Sequence, residues 1–392
     1  MRSTSTSPED SGLDLDLAEE RFAQSVDLTI GLEEEFAILR KDTLDLHGGF
    51  EGMYAAARAR DPFLADGITG ELISAEIEII SGRAEDLAEA FARQRDRRRR
   101  LFALADAEGC ALGATGTHPW ADYRAQAIID TAHYRRVADG LRYVAARNNT
   151  FSLHVHVGVN GADRALKVCD RLRPLLPLLL AVSANSPWVD GRDSGLHSAR
   201  TQTFTRSFPR CGVPDAFGSW DAYRRYVELL VATSSIVEST QIWWSVRPHF
   251  AFGTVEVRIC DAQSSGSESE ALASLIVACV AQALRDLDEG VPTVDLPPRL
   301  IEENIWRAIR FGLDGRMLDF EHDQEYPSAA IVERLAAWTA PTRAELGIEL
   351  GFPERNGAQR QRALIAAGAS REEVFAAAVR EARDTYAQEV TV

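Results

Sequence analysis

Apolar and polar residues alternate, broken only at Glu34 and Ile80, in four separate stretches of the chain. They are Leu-Thr-Ile-Gly-Leu-Glu-Glu-Glu-Phe (28–36), Ala-Glu-Ile-Glu-Ile-Ile (75–80), Leu-His-Val-His-Val-Gly-Val (153–159) and Thr-Val-Glu-Val-Arg-Ile (254–259). A period of two predicts β-strands, over 27–40, 71–81, 150–159 and 252–261. Between them the period lengthens to that of a helix. Leu87, Phe91, Leu101 and Leu104 mark an amphipathic helix over 84–107, and further helices are predicted at 134–147, 163–183, 222–239, 266–288, 298–311, 328–340 and 370–388. Asp163 is expected to cap the third of these, with Pro174 and Pro177 bending or breaking it. Shorter strands are read at 111–117 and 242–247, a turn-rich connection at 64–70 and a polar loop at 184–195. Residues 1–26, Ser/Thr-rich and then acidic, read as a flexible leader with frayed helix toward its end, and 27–392 as a single domain. The strands do not alternate regularly with single helices, which favours an α+β fold with a largely antiparallel sheet.

Each alternating stretch carries a pair two residues apart: Glu33/Glu35, Glu76/Glu78, His154/His156 and Glu256/Arg258. Side chains at i and i+2 of a strand leave from the same face. A lone Glu-x-Glu strand is usually a solvent-facing edge, and a lone His-x-His is more often structural than a ligand. Four such pairs in Val/Ile/Leu-rich runs instead point to one shared, enclosed face. Adjacent carboxylates there repel one another and lose hydration, and a divalent cation removes that cost. Carboxylate oxygens with an occasional imidazole suit Mg²⁺ or Mn²⁺.

Composition narrows the chemistry. A chain of 392 residues, 45% hydrophobic, can bury a substantial core. Its formal net charge of −16 argues against a nucleic-acid partner. The one dense basic run, Arg95 with Arg97 to Arg100, reads as a solvated helix face beside acidic neighbours. Only two lysines, Lys41 and Lys167, stand against 41 arginines. Neither lies in a phosphate-binding P-loop or a kinase-type strand, so metals and arginines would have to hold any nucleotide phosphates. Five scattered cysteines without Cys-x-x-Cys spacing speak against a disulfide framework or zinc site and fit a reducing cytoplasm. No signal-peptide-like run opens the sequence, and the most apolar stretch, 174–182, is too short to span a bilayer.

Gly31-Leu32-Glu33-Glu34-Glu35-Phe36, Leu153-His154-Val155-His156-Val157-Gly158, Ser198-Ala199-Arg200-Thr201-Gln202, and Arg247-Pro248 followed by Thr254-Val255-Glu256-Val257-Arg258 together resemble the glutamate–cysteine ligase type 2 family. The bacterial branch of carboxylate–amine ligases looks closest, with Trp243-Trp244 and Glu303-Asn304-x-Trp306-Arg307-Ala308 also similar. The resemblance covers about residues 27–385. It implies a glutamine-synthetase-like catalytic fold, a curved antiparallel sheet with metal ligands on its concave face and helices behind. It also implies ATP-dependent amide formation at the side-chain carboxylate of glutamate or a similar acid, through an acyl phosphate, with an amine as acceptor. Carried over by motif, Glu33, Glu35, Glu78, His154 and Glu256 are the expected Mg²⁺ ligands, with the choice between His154 and His156 open. Arg258 is expected to clamp the transferred phosphate. Arg200 and Arg247 are expected at the substrate carboxylate or the ATP phosphates, Glu71 as a further carboxylate on the metal side, and His156 as a candidate base. Alternatives are a phosphotransferase on a related fold and a non-catalytic nucleotide- or metal-binding homologue. The acceptor is open between cysteine and another amine, and a homodimer is one expected assembly.

Overall fold

The computed structural model describes residues 13–351 and 354–387. Seven strands form its main sheet: β1 (Ile30–Arg40), β2 (Ile68–Gly70), β3 (Glu76–Ile80), β4 (Cys110–Gly113), β5 (Ser152–Gly158), β6 (Val246–His249) and β7 (Thr254–Asp261). They lie in the order β6-β7-β5-β1-β3-β2, with β4 also paired to the far end of β1. Every pairing is antiparallel. The helices that matter below are α1 (Leu15–Gln24), α2 (Leu87–Ala107), α3 (Ala132–Leu141), α4 (Ala162–Leu172), α5 (Ala199–Ser207), α6 (Gly266–Asp288) and α7 (Arg371–Tyr386). This is the α+β, glutamine-synthetase-like arrangement expected from the strand pattern and motifs.

The interleaved residues of the strands build the core. Leu32, Val155, Val157, Val255 and Val257 pack against Ala165, Leu166 and Cys169 of α4 and Leu272 and Ile276 of α6. Phe36, Ile77 and Ile79 pack against Leu101 and Phe102 of α2. Each such aliphatic or aromatic side chain contributes about 1.5–3 kcal/mol when fully buried. Glu34 lies between Glu33 and Glu35, so it points into this apolar side and needs a cation there. Arg98 of α2 supplies it, with Nε 2.6 Å and Nη2 2.7 Å from the two Glu34 oxygens. Its Nη1 donates to Glu270 at 2.8 Å, and its guanidinium lies 4.8 Å from the Tyr386 ring centroid. The basic run is therefore not wholly solvated: Arg98 is 2% exposed, while Arg95, Arg99 and Arg100 keep surface partners.

Several boundaries differ from the pattern. The leader expected over 1–26 is structured from Leu15. Asp14 caps α1 by accepting from the Asp16 and Leu17 amides, and Leu15, Ala18 and Phe22 are buried, Phe22 edge-on to Trp220 at 5.7 Å. The rest of that expected leader, 1–12, lies outside the described residues. Deleting residues 1–25 should therefore lower the melting temperature by several degrees, since losing Phe22 alone costs about 3–5 kcal/mol; an unchanged melt would show that α1 adds nothing. The strand expected over 71–81 is shorter, β3 beginning at Glu76, and the connection at 64–70 contains β2. The helix expected over 134–147 breaks at Arg142, whose φ is 51°. Gly161, not Asp163, caps α4, while Asp163 accepts from the Trp220 amide at 3.0 Å. The helix expected over 222–239 is Trp220–Ala232, and Phe50–Arg60 is a helix the pattern did not predict. Among the described residues no helix is long and apolar enough to cross a membrane.

Candidate metal and substrate site

Strand register assembles the charged pairs. Glu35 lies opposite Glu78, Glu33 opposite His154, and Glu256 opposite both His156 and Arg247. Directly opposed residues of antiparallel strands share a face, so one face of five adjacent strands carries all of them. A β-bulge between Val257 and Cys260 turns β7 locally. The Arg258 amide there donates to the Ser245 carbonyl at 2.8 Å.

The side chains fall into three donor groups, each with its atoms within 4.8 Å of one another: Glu33–His156–Glu256, Glu33–Glu78–His154, and Glu35–Glu71–Glu78. Glu33 belongs to the first two and Glu78 to the last two, so the groups run in line across the sheet. His154 Nδ1 is 3.0 Å from Glu33 Oε2, and His156 Nε2 is 3.0 Å from Glu33 Oε1 and 3.7 Å from Glu256 Oε1. Each imidazole thus serves its own group. Glu71, on the loop before β3, enters the third. All the expected metal residues come together here, and His156, expected as a base, sits among the possible ligands.

The arginines close one side. Arg247 Nε donates to Glu256 Oε2 at 2.6 Å, and Arg258 pairs with Glu256 Oε1. Arg200 reaches in from α5, where Ser198 caps the helix by accepting from Thr201 N at 3.1 Å. Its two Nη groups donate to the Ile259 and Arg258 carbonyls, both at 3.2 Å. The Nε–H groups of Arg200 and Arg258 are buried without a protein partner, which suits an incoming anion. These residues line a cavity of about 280 Å³. A second cavity of about 380 Å³ lies beside it, walled by Gly31, Leu32, His156 and Phe252, and the two share Glu33.

Electrostatics divides the carboxyls into two kinds. Burial tends to raise Glu33, yet His156 and His154 outweigh it and hold the group well below the usual carboxylate range. Burial likewise opposes Glu256, but Arg247 and Arg258 overcome it and hold this carboxyl low too. At Glu71 and Glu78 Arg258 pulls downward too, but burial and the neighbouring carboxylates outweigh it. Burial, reinforced by Glu35 and Glu33, pushes Glu71 up to about 8 and lifts Glu76 and Glu78 well above the ordinary value. A buried Glu76 oxygen also has no hydrogen-bond partner. Hard oxygen donors with an imidazole in two of three groups, and carboxyls that resist ionising unless a cation arrives, fit Mg²⁺ or Mn²⁺. The sign follows. Carboxyls whose folded pKa is raised cost stability as pH rises toward that value, so the metal-free protein should become less stable from about pH 5 to 8. Added Mg²⁺ should raise the melting temperature more at pH 8 than at pH 6 and release protons on binding; equal shifts at the two pH values would remove these carboxyls from the metal's shell.

Some contributors escaped the sequence reading. Ser152, two residues before His154 on the same face, bonds His154 Nε2 at 2.8 Å and Glu35 Oε2 at 2.6 Å. His249, two residues after Arg247, stands edge-on to His156 at 5.1 Å, and burial lowers it to about 3. The same i, i+2 spacing could have found both. The start of the polar loop expected over 184–195 is a brace. Asp261 accepts from Asn185 N, Ser186 Oγ and Ser198 Oγ at 2.8, 2.6 and 2.9 Å, which fixes the start of α5 and hence Arg200.

Comparison with known proteins shows the family and the fold. The profile of Glutamate-cysteine ligase family 2 (GCS2) matches residues 29–381. A Rubrobacter xylanophilus protein, whose name marks it as a candidate glutamate–cysteine ligase 2-2, is 40% identical over 312 residues, 80% of each chain. A Solibacter usitatus protein named as a candidate glutamate–cysteine ligase 2 is 36% identical over 341 residues, 85% of this chain and 88% of its own. Among solved structures, the Francisella tularensis glutamate–cysteine ligase in complex with AMP superposes with a TM-score of 0.69 at 11% identity, covering 93% of this chain and 90% of that one. The bifunctional glutathione synthetase of Pasteurella multocida gives 0.67 at 14% identity, covering 95% and 54%.

Proposed function

Because this chain belongs to glutamate–cysteine ligase family 2 and is a ligase that forms amide bonds, we propose that it joins the side-chain carboxylate of glutamate to an amine, in the cytoplasm, at the expense of ATP and through an acyl phosphate. The observation that carries the reading is the line of three carboxylate groups linked by Glu33 and Glu78, with Arg258 beside it. Glu33, Glu35, Glu71, Glu78, His154, His156 and Glu256 would hold Mg²⁺. Bound there, the metal supplies positive charge for the ATP phosphates and the attacking carboxylate. The two cavities that meet at Glu33 suit reactants arriving from opposite sides, the nucleotide past Phe252 and the acid past Arg200. The AMP in the solved ligase of this fold supports a nucleotide here.

The chain's own residues then have distinct tasks. Arg200 offers its free Nε–H to the acid's other carboxylate. Arg258 sits where negative charge spreads over the transferred phosphoryl oxygens, and its planar fork suits them. Arg247 holds the Glu256 carboxylate in place. Glutamate labelled with ¹⁸O in its side-chain carboxylate tests the chemistry: one label should appear in inorganic phosphate for each amide formed, with ADP as the nucleotide product. Label in AMP, or none in phosphate, would sink the acyl phosphate.

A further inference from the structure

The cavity of about 380 Å³ has one wall built from residues that precede the family match. The match begins at residue 29, yet Arg21 and Gln24 of the last turn of α1, with Ser25 and Val26 after it, line this cavity. Their position is fixed from two sides. Asn160, just past β5, donates through Nδ2 to the Ala23 and Ser25 carbonyls, both at 2.9 Å, and the Gly161 amide donates to the Phe22 carbonyl at 2.8 Å. From the other side the turn between β6 and β7 packs onto the helix. Gly253 in that turn has a φ of 64°, and a Cβ there would stand 2.8 Å from the Arg21 carbonyl oxygen. Only glycine lets the turn approach so closely.

The fitted turn carries Phe252. Its ring stacks on His249 at 4.5 Å, lines the same cavity and is 60% exposed. A large ring held open to water gives up apolar burial, and a flat ligand laid on it restores that burial with a stacking contact. Val26, 49% exposed, and Ile30 and Leu32 add apolar surface to the walls. Glu33 and His156 line the cavity as well, and both belong to the first donor group with Glu256. The His156 ring lies 5.6 Å from that of Phe252. The cavity therefore joins a stacking platform to a metal-binding group, which suits a ligand with a flat ring at one end and phosphates at the other.

We propose that α1 is part of the nucleotide site: the purine base stacks on Phe252 and is enclosed by Arg21 and Val26, and the phosphates run to the Glu33–His156–Glu256 group. The inference rests on the ligase reading, which brings a nucleotide to this cavity, and adds that residues ahead of the family match hold its base. The test is calorimetric titration of the full chain in Mg²⁺, without acid or amine, comparing ATP with tripolyphosphate, which keeps the phosphates and lacks the base. The unaltered chain should bind ATP the more tightly. Phe252→Ala and the double variant Arg21→Ala/Val26→Ala should each weaken ATP about tenfold or more, the scale of one lost stacking contact, and leave tripolyphosphate within about twofold. A variant that merely loosens the turn or the helix would weaken both ligands alike, and that result overturns the proposal. So does unchanged ATP binding in the double variant, or equal affinity of the unaltered chain for ATP and tripolyphosphate; in those cases the ligase reading stands. If the unaltered chain binds neither ligand, the ligase reading fails and takes this inference with it.

Discussion

Glu78→Gln should reduce kcat by at least about a thousandfold, the scale of removing a well-placed charge-stabilising group, while leaving the metal-free fold as stable as before or more so. Glu78 belongs to two of the three donor groups, so an amide there weakens two neighbouring cation positions at once. Its carboxyl is raised by burial and by Glu33 and Glu71. Above the ordinary carboxylate range a group raised in this way costs the native state stability, and a neutral amide removes that cost. Glu256→Gln should also abolish turnover, but with the opposite effect on the fold. Glu256 is the partner of both Arg247 and Arg258, and breaking a buried pair from one side costs about 3–5 kcal/mol. Thermal melts in EDTA, alongside steady-state rates, separate the two cases. A strongly destabilised Glu78→Gln protein would mean that this carboxyl is a structural partner and not a ligand held in reserve.

Arg258→Lys should lower kcat by about a thousandfold, as loss of an arginine at a transferring phosphoryl group does, with a much smaller change in the KM for ATP. An ammonium can still pair with Glu256, so the resting site should survive. It cannot keep one nitrogen on Glu256 and also present the free Nε–H in the same rigid plane. A contact that strengthens as charge develops appears in kcat more than in ground-state binding. Steady-state kinetics with saturating Mg²⁺ decides it. If kcat is nearly unchanged, Arg258 acts only as the counter-charge of Glu256.

The i, i+2 spacing of Glu33/Glu35, Glu76/Glu78, His154/His156 and Glu256/Arg258 carried the strands and most of the site, because strand geometry ties spacing to face. Register is a different matter. That Glu35 opposes Glu78 and Glu33 opposes His154 depends on which strands become neighbours, and spacing within one strand holds no information about that. Glu71 was placed at the head of a strand over 71–81 but sits on the loop before β3, where no period applies. The burial of Arg98 was hidden for a related reason: its arginine neighbours suggested water, and only the outward turn of Glu34 from the ligand face explains its position. Helix at the end of the leader was legible, but its docking through Leu15, Ala18 and Phe22 was not, because its acidic residues suggested water.

The strand order has a consequence for how the protein is made. β1 sits at the middle of the sheet, yet roughly 110 residues separate it from its partner β5, about 6–22 s of synthesis at ordinary elongation rates. On the ribosome it can pair early with β3 and β4, while its edge toward β5 waits exposed. A long apolar edge in a crowd of nascent chains invites the wrong partner. Glu33 and Glu35 sit on that waiting strand, ionised and hydrated until the remaining strands arrive, and charged residues of this kind keep such edges apart. The carboxylates that line the ligand face of the finished sheet thus guard the unfinished one.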